Sequence, residues 1–321
     1  RAWLDHYVRI AAACRAAGIE PVVTLSHFTS PRWFAAAGGW THDGAPDRFA
    51  RFSEAVGRRL AGLVRHVVAF NEPNLPLMGR WAPTPLAGPV RGGLDTMLAA
   101  AARAAGADRF SVWVYSRGDD ADLERLLAGH RAARAAWKAI DPAARVGMSL
   151  ALPDSQGDER AIAAYRRYAE DPFFAAARED DFIGVQTYGR LRFGGDAVLA
   201  PPAGAELTES GDEFYPQALG ASIRHAHART GRPVFVTENG IAAADDVQRR
   251  RYLPAALGAL DAARADGVPV IGYIHWSLLD NFEWRRGYAQ HFGLVAVDRR
   301  TFRRSPKPSA RLYADLVRAR S

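Results

Sequence analysis

Residues 65–73 read Arg-His-Val-Val-Ala-Phe-Asn-Glu-Pro and residues 232–240 read Arg-Pro-Val-Phe-Val-Thr-Glu-Asn-Gly. Each is a short β-branched and aromatic run that turns polar at its last residues and stops at a proline or glycine. That pattern predicts a buried parallel strand with functional groups at its C-terminal end. Four more runs behave alike, so that strands are expected at Glu20–His27, His66–Asn71, Arg145–Leu150, Phe182–Tyr188, Pro233–Glu238 and Val270–Trp276. Amphipathic Ala/Leu/Arg stretches fill the gaps at 2–17, 46–64, 96–105, 120–140, 159–178, 215–230 and 246–266. Gly18, Gly231 and Gly267 stand where three of these helices should stop. Strand alternating with helix is the pattern of a parallel sheet covered by helices.

An open doubly wound sheet and a closed barrel both satisfy that alternation. The polar residues decide between them: Ser26-His27, Asn71-Glu72, Gln186-Thr187-Tyr188, Glu238-Asn239 and His275-Trp276-Ser277 all close an apolar run. In a barrel such ends converge on one mouth, where active sites are built. No glycine-rich dinucleotide fingerprint follows the first strand and no phosphate-loop pattern occurs. The expected fold class is therefore α/β, a (β/α)8 TIM barrel.

Composition narrows the function. The 321 residues are 48% hydrophobic and 24% charged, the balance of a globular chain with a sizeable core. Cys14 is the single cysteine, which excludes a disulfide scaffold and any metal centre built on several thiolates. The formal charge is +7, yet 40 of the 42 basic residues are arginines interspersed with Asp and Glu, so no nucleic-acid partner is expected. The densest basic turn, Gln248–Arg251, reads as a solvated helix face. No apolar run is long enough to span a bilayer, so no membrane partner is expected, and a cytoplasmic location is the expectation.

A carboxylate that ends a buried strand is costly unless it is paired or used. Glu72 and Glu238 both do so, each beside an asparagine. Two such groups across a barrel mouth suit glycosidic bond cleavage, where one protonates the leaving oxygen and the other stabilises or attacks the developing cation. Their surroundings must then push their pKa values apart.

The motifs resemble those of glycoside hydrolase family 1, the retaining β-glucosidase family. Asn71-Glu72-Pro73 is similar to its acid/base signature and Thr237-Glu238-Asn239-Gly240 to its nucleophile signature. Thr24-Leu25-Ser26-His27-Phe28 with Pro31 and Trp33 is similar to the segment of the third strand, and Asp181-Phe182-Ile183-Gly184 through Tyr188 to that of the sixth. Residues 272–284, Gly-Tyr-Ile-His-Trp-Ser-Leu-Leu-Asp-Asn-Phe-Glu-Trp, carry the strongest likeness, followed by Gly287-Tyr288, Phe292-Gly293-Leu294, Pro306-Lys307 and Ser309.

The resemblance implies Glu72 as acid/base and Glu238 as nucleophile, with carboxyl groups about 5–5.5 Å apart. It implies sugar contacts from His27, Asn71, Trp276, Glu283 and Trp284, with Phe292 a further lining residue, and a Tyr188 hydroxyl that holds the nucleophile. It implies no metal and no organic cofactor, and a small-molecule or oligosaccharide β-glycoside as partner. Glu283 would repel a phosphate, and the adjacent Arg285-Arg286 supply no lysine, so an unphosphorylated glycone is expected. Glutamate at 72, where the family's thioglucosidases have glutamine, favours O-glycosides.

The likeness begins at the helix before the family's third strand. Only strands three to eight of the barrel are therefore expected, in a single catalytic domain over 1–321 that is incomplete at its N-terminus by roughly 80 to 110 residues. The family's glutamine for the 3- and 4-hydroxyls and its arginine beside the nucleophile have no counterpart here. Ionised Glu238 thus lacks a favourable charge. An inactive or merely sugar-binding barrel is the alternative. Gln186 and Phe28 stand where many members have Asn and Trp. The stretch Arg91–Gly118 is longer than the usual loop and is expected to add a lid or an aglycone wall.

Overall fold

A computed structural model describes residues 2–79, 89–115, 119–195, 197–284 and 286–320. Arg285 and residues 116–118 of the long stretch lie outside the described residues. The chain divides into two units, Arg1–Leu150 with Ala163–Gly184, and Ala151–Ile162 with Val185–Ser321.

The first unit contains α1 (Ala2–Ala16), β1 (Val22–Ser26), α2 (Ala45–Leu60), β2 (His66–Asn71), α3 (Pro89–Ala105), α4 (Asp120–Ile140) and nearly all of β3 (Arg145–Ala151). The unit boundary runs through the next helix, α5 (Glu159–Ala169); α6 (Asp171–Ala177) and the first half of β4 (Phe182–Thr187) then complete the unit. The strand order is β1-β2-β3-β4. β1 pairs β2 in parallel with Val22 opposite His66, and β2 pairs β3 in parallel with His66 opposite Arg145. Val67, Val146 and Trp137 meet Val56, Leu60 and Ala11 in one apolar cluster, which seats α1, α2 and α4 on the strands. Removing such side chains from water supplies roughly 1.5–3 kcal/mol apiece. The strand-end aromatics form a second layer: Phe49 stacks on Phe70 at 4.6 Å and Trp40 meets Phe70 edge-on at 5.3 Å.

In the second unit the order continues as β4-β5-β6, with β5 (Val234–Asn239) parallel to β6 (Val270–His275). Here α7 (Ala218–Thr230) and α8 (Asp246–Ala265) pack together through buried Leu219, Ile223, Tyr252 and Leu257. α9 (Pro308–Arg318) ends the chain.

All six strands expected from the sequence form, each to within two residues at its start and one at its end. The three glycine stops are real: Gly18, Gly231 and Gly267 sit at φ of 72°, 70° and 91°, the left-handed region that ends helices. The helix expected over 159–178 is broken in two, because Glu170 leaves helical geometry at φ −129° and Pro172 then restarts the chain as the second residue of α6. The sequence patterns give no sign of the helices Arg32–Ala36, Leu75–Met78 and Pro308–Arg318, and two β features escape them as well. One is a small sheet of Asp154–Gly157, Arg190–Gly194 and Ala197–Leu199; the other is the antiparallel pair Val295–Val297 and Arg304–Pro306. At three to five residues these strands are too short to show a period.

The basic turn at 248–251 departs from its expected solvated face. Arg249 is fully buried, paired with Asp246 at 2.6 Å and donating to the carbonyls of Ala243 and His291. A buried guanidinium persists only where anion and acceptors converge on it, and here they do. Asp246 also accepts from the Ser309 amide at 2.8 Å and hydroxyl at 2.6 Å, so one carboxylate ties α8 to the start of α9. Lys307 Nζ likewise reaches Asp280 at 2.9 Å. The tail residues singled out in the sequence thus act as fastenings of the C-terminal helix.

Candidate active site

In the first unit, β2 delivers Asn71 and Glu72 at its C-terminal end. Asn71 is buried, and its Nδ2 donates to His27 Nε2 at 3.2 Å, just beyond the end of β1. Burial lowers the His27 pKa, which keeps the ring neutral and able to accept. His27 is therefore joined to another side chain at a strand mouth.

Glu72 is half-buried and has φ +46°, a region that β-carbon-bearing residues avoid. Neighbours over-determine this turn. The Glu72 amide donates to Ser149 O on β3 at 2.8 Å, and its carbonyl accepts from the Leu75 amide at 3.2 Å. The Pro73 carbonyl accepts from Trp113 Nε1 at 2.7 Å. Beside the turn lies a recess lined by Ser26, Phe28, Trp40, Asn71, Pro73 and Trp113 among others. Trp113 and Val114 are the residues of the long stretch that reach this recess, and Trp113 is the one bonded to the turn. The run Phe110–Tyr115 marked it in the sequence, but nothing there gave its partner.

In the second unit, β5 delivers Glu238, 8% exposed at the strand end. Tyr188, one residue after β4, donates its hydroxyl to Glu238 Oε2 at 2.6 Å. Burial pushes the Glu238 pKa up to about 7; the nearby Glu283 charge raises it further and the Tyr188 hydrogen bond opposes the rise. Among the described residues no cation enters this balance. Glu283 is held in a tight turn: its backbone exchanges two hydrogen bonds with Gly287 at 2.7 Å each, and Asn281 Nδ2 donates to its Oε1 at 2.9 Å. The unit thus has a buried carboxyl poised near neutrality, a phenol that can hold its anion, and a second carboxylate close enough to be felt.

Aromatic side chains border this group. Phe292 meets Tyr188 edge-on at 5.8 Å. Trp276 is half-buried just after β6, its amide donating to Asn239 O at 3.0 Å, and Trp284 is 50% exposed.

Sequence reasoning missed what holds Glu238 in place. The next residue, Asn239, has no exposure; its amide donates to Thr187 O at 2.8 Å and Tyr252 Oη at 2.9 Å, while its Oδ1 accepts from Tyr273 Oη at 3.0 Å. A fully satisfied buried amide fixes the strand end rigidly. The asparagine was visible in the sequence, but its two tyrosine partners lie on α8 and β6, and no spacing rule links them.

The expected residues thus divide between the units: His27, Asn71 and Glu72 meet in the first, Tyr188, Glu238 and Glu283 in the second, which also carries Trp276 and Trp284. Comparison with known proteins adds to that geometry. The family model "Glycosyl hydrolase family 1" matches residues 1–112 and 200–321. The chain is 33% identical, over 98% of its length, to the galactolipid galactosyltransferase SFR2, chloroplastic, of Arabidopsis thaliana. It is 29% identical, again over 98%, to a beta-galactosidase of Sulfolobus acidocaldarius. It spans 50% of the first relative and 70% of the second. Among solved structures, the apo structure of a beta-glucosidase, 1317, superposes with a TM-score of 0.94 at 41% identity, covering 99% of this chain and 79% of the other.

Proposed function

The chain belongs to glycosyl hydrolase family 1, and from that membership we propose that it is a retaining β-D-glycosidase acting on unphosphorylated O-β-glycosides, as part of one catalytic barrel domain. The observation that carries the reading is buried Glu238, held by Tyr188 at 2.6 Å with the charge of Glu283 beside it.

In the proposed reaction ionised Glu238 attacks the anomeric carbon. The bond to the aglycone oxygen breaks, and Glu72 gives that oxygen its proton. Water then attacks the glycosyl–Glu238 ester, Glu72 takes the water's proton, and the ester bond breaks to free the sugar and the carboxylate. Two inversions leave the anomeric configuration as it began. Asn71, oriented by neutral His27, is the proposed partner of the sugar 2-hydroxyl, a contact worth most in the transition state. Glu283 is the proposed partner of the distal hydroxyls and disfavours a 6-phosphate by charge. Trp276 and Trp284 offer indole faces for the sugar's C–H surface.

The experiment is turnover of an aryl β-glucoside followed by proton NMR of the first product. The β-anomer should appear first, and Glu238→Ala should abolish turnover. Release of the α-anomer, or an unchanged rate in the variant, would end the reading. Repeating the reaction with an added alcohol tests for a hydroxyl acceptor in place of water, the point raised by the galactosyltransferase relative.

A second reading is a sugar-binding barrel without turnover. It is favoured by Glu238 itself, since a carboxyl with pKa near 7 is only about half-ionised at neutrality and, among the described residues, no cation supports its anion. Glucose binding by calorimetry with no hydrolysis from pH 5 to 9 is the outcome it requires.

A further inference from the structure

Glu72 carries a backbone conformation that its side chain does not favour, φ +46°, and such conformations persist only where the surroundings impose them. Two of the restraining contacts are backbone bonds from β3 and the following turn, and these come with the barrel. The third does not. Trp113 lies just past the first stretch matched by the family model, which ends at residue 112, and it is 9% exposed. Its indole N–H meets the carbonyl of Pro73, the residue directly after Glu72, at 2.7 Å.

The segment that carries Trp113 is seated by design of the sequence. Ser111 N donates to Ala35 O at 3.0 Å. At Gly39, φ +54°, a β-carbon would fall 2.6 Å from Ser111 O, and at Gly38, φ +101°, 2.6 Å from the Arg109 guanidinium. Gly39 is therefore needed for the close approach of the Ser111 backbone, which in turn brings the indole to Pro73, while Gly38 is needed for its own left-handed φ.

We propose that Trp113 is a positioning residue for Glu72: its indole N–H fixes the Asn71-Glu72-Pro73 turn and with it the direction in which the Glu72 carboxyl delivers its proton. The inference rests on the acid/base role proposed for Glu72. Proton delivery matters most where the departing group is a poor one. Loss of Trp113's bond is therefore felt selectively, whereas a general loosening of the fold lowers every rate alike.

The test is Trp113→Phe in the full chain, which keeps a ring in the recess and removes the donor. Two glucosides are compared by kcat/KM, an alkyl β-glucoside with a poor leaving group and 2,4-dinitrophenyl β-glucoside with a good one. The alkyl substrate should lose about threefold to tenfold, the worth of one neutral hydrogen bond, and the dinitrophenyl substrate should be unchanged. In parallel, amide hydrogen exchange should quicken at Glu72 and Leu75 and stay as in the parent at Val67–Ala69. Equal loss on both substrates, or unchanged exchange at Glu72 and Leu75, would overturn the proposal. Glu72→Ala separates the two failures: if it shows no preference between the substrates, the acid/base reading has failed. If the parent chain hydrolyses neither, the exchange data alone decide whether Trp113 holds the turn.

Discussion

Glu238 sets the terms at the scale of a single residue. Its carboxyl is ordinarily half-ionised near pH 4.5 and is pushed to about 7 by burial, with the charge of Glu283 adding and the Tyr188 hydroxyl subtracting. A carboxyl whose folded pKa lies above its unfolded one favours the native state as the acid. Its contribution is complete below the unfolded value and is lost as pH rises through the folded one. Glu238→Gln removes that titration while keeping an acceptor for Tyr188. The variant should therefore be more stable than the parent at pH 8, by on the order of 3 kcal/mol, with the gain shrinking to nothing near pH 4. Thermal melts of both proteins across that range check it. A gain at pH 4 equal to that at pH 8 would mean that burial is not what raises the pKa. The same reasoning places the acidic limb of any turnover profile near neutrality. The two glutamates could be singled out from strand-end position and motif, because a buried strand gives a carboxylate few other reasons to be there. Glu238's shifted titration could not, since it depends on how deeply the strand end is covered.

At the scale of elements, the strand pattern was legible because apolar β-branched runs and polar ends are local facts. What local pattern could not give was any feature made by distant partners. Arg249 reads as solvent-facing in a basic turn, yet the Asp246 carboxylate and two carbonyls draw it inside. The short strands at 154–157, 190–194 and 197–199 exist through their pairing and not through their composition. The Asp246 junction yields a prediction for α8 and α9. Asp246→Ala leaves a fully buried guanidinium without its anion and Ser309 without its acceptor. It should cost about 3–5 kcal/mol, the usual effect of breaking a buried pair. Chemical denaturation would measure it, and Ser309→Ala, which removes only hydrogen bonds, should cost about 1 kcal/mol. A loss in Asp246→Ala no larger than that in Ser309→Ala would show that the charge pair carries nothing.

At the scale of the whole molecule, the buried strands β2 to β5 contrast with β1 and β6. These two lie at the ends of the strand order and are only half-covered, with Thr24 exposed and Ile274 39% exposed. On α1, Trp3, Tyr7 and Ile10 add a stripe of exposed apolar side chains at helical spacing. Among the described residues β1 and β6 each pair along one edge only, and free strand edges pair with other edges, so the 321-residue chain by itself should associate with rising concentration, and Thr24→Lys should reduce that association in sedimentation velocity. A strictly monomeric parent over the micromolar range would refute the reasoning. Stability and chemistry also pull apart across the molecule as a whole, and the left-handed turn at position 72 is where they do so most openly. Of the twenty amino acids only the one without a side chain is at ease there. A library sorted for heat resistance alone would thus drift to glycine at that codon, collecting sturdier proteins without the acid proposed for the reaction.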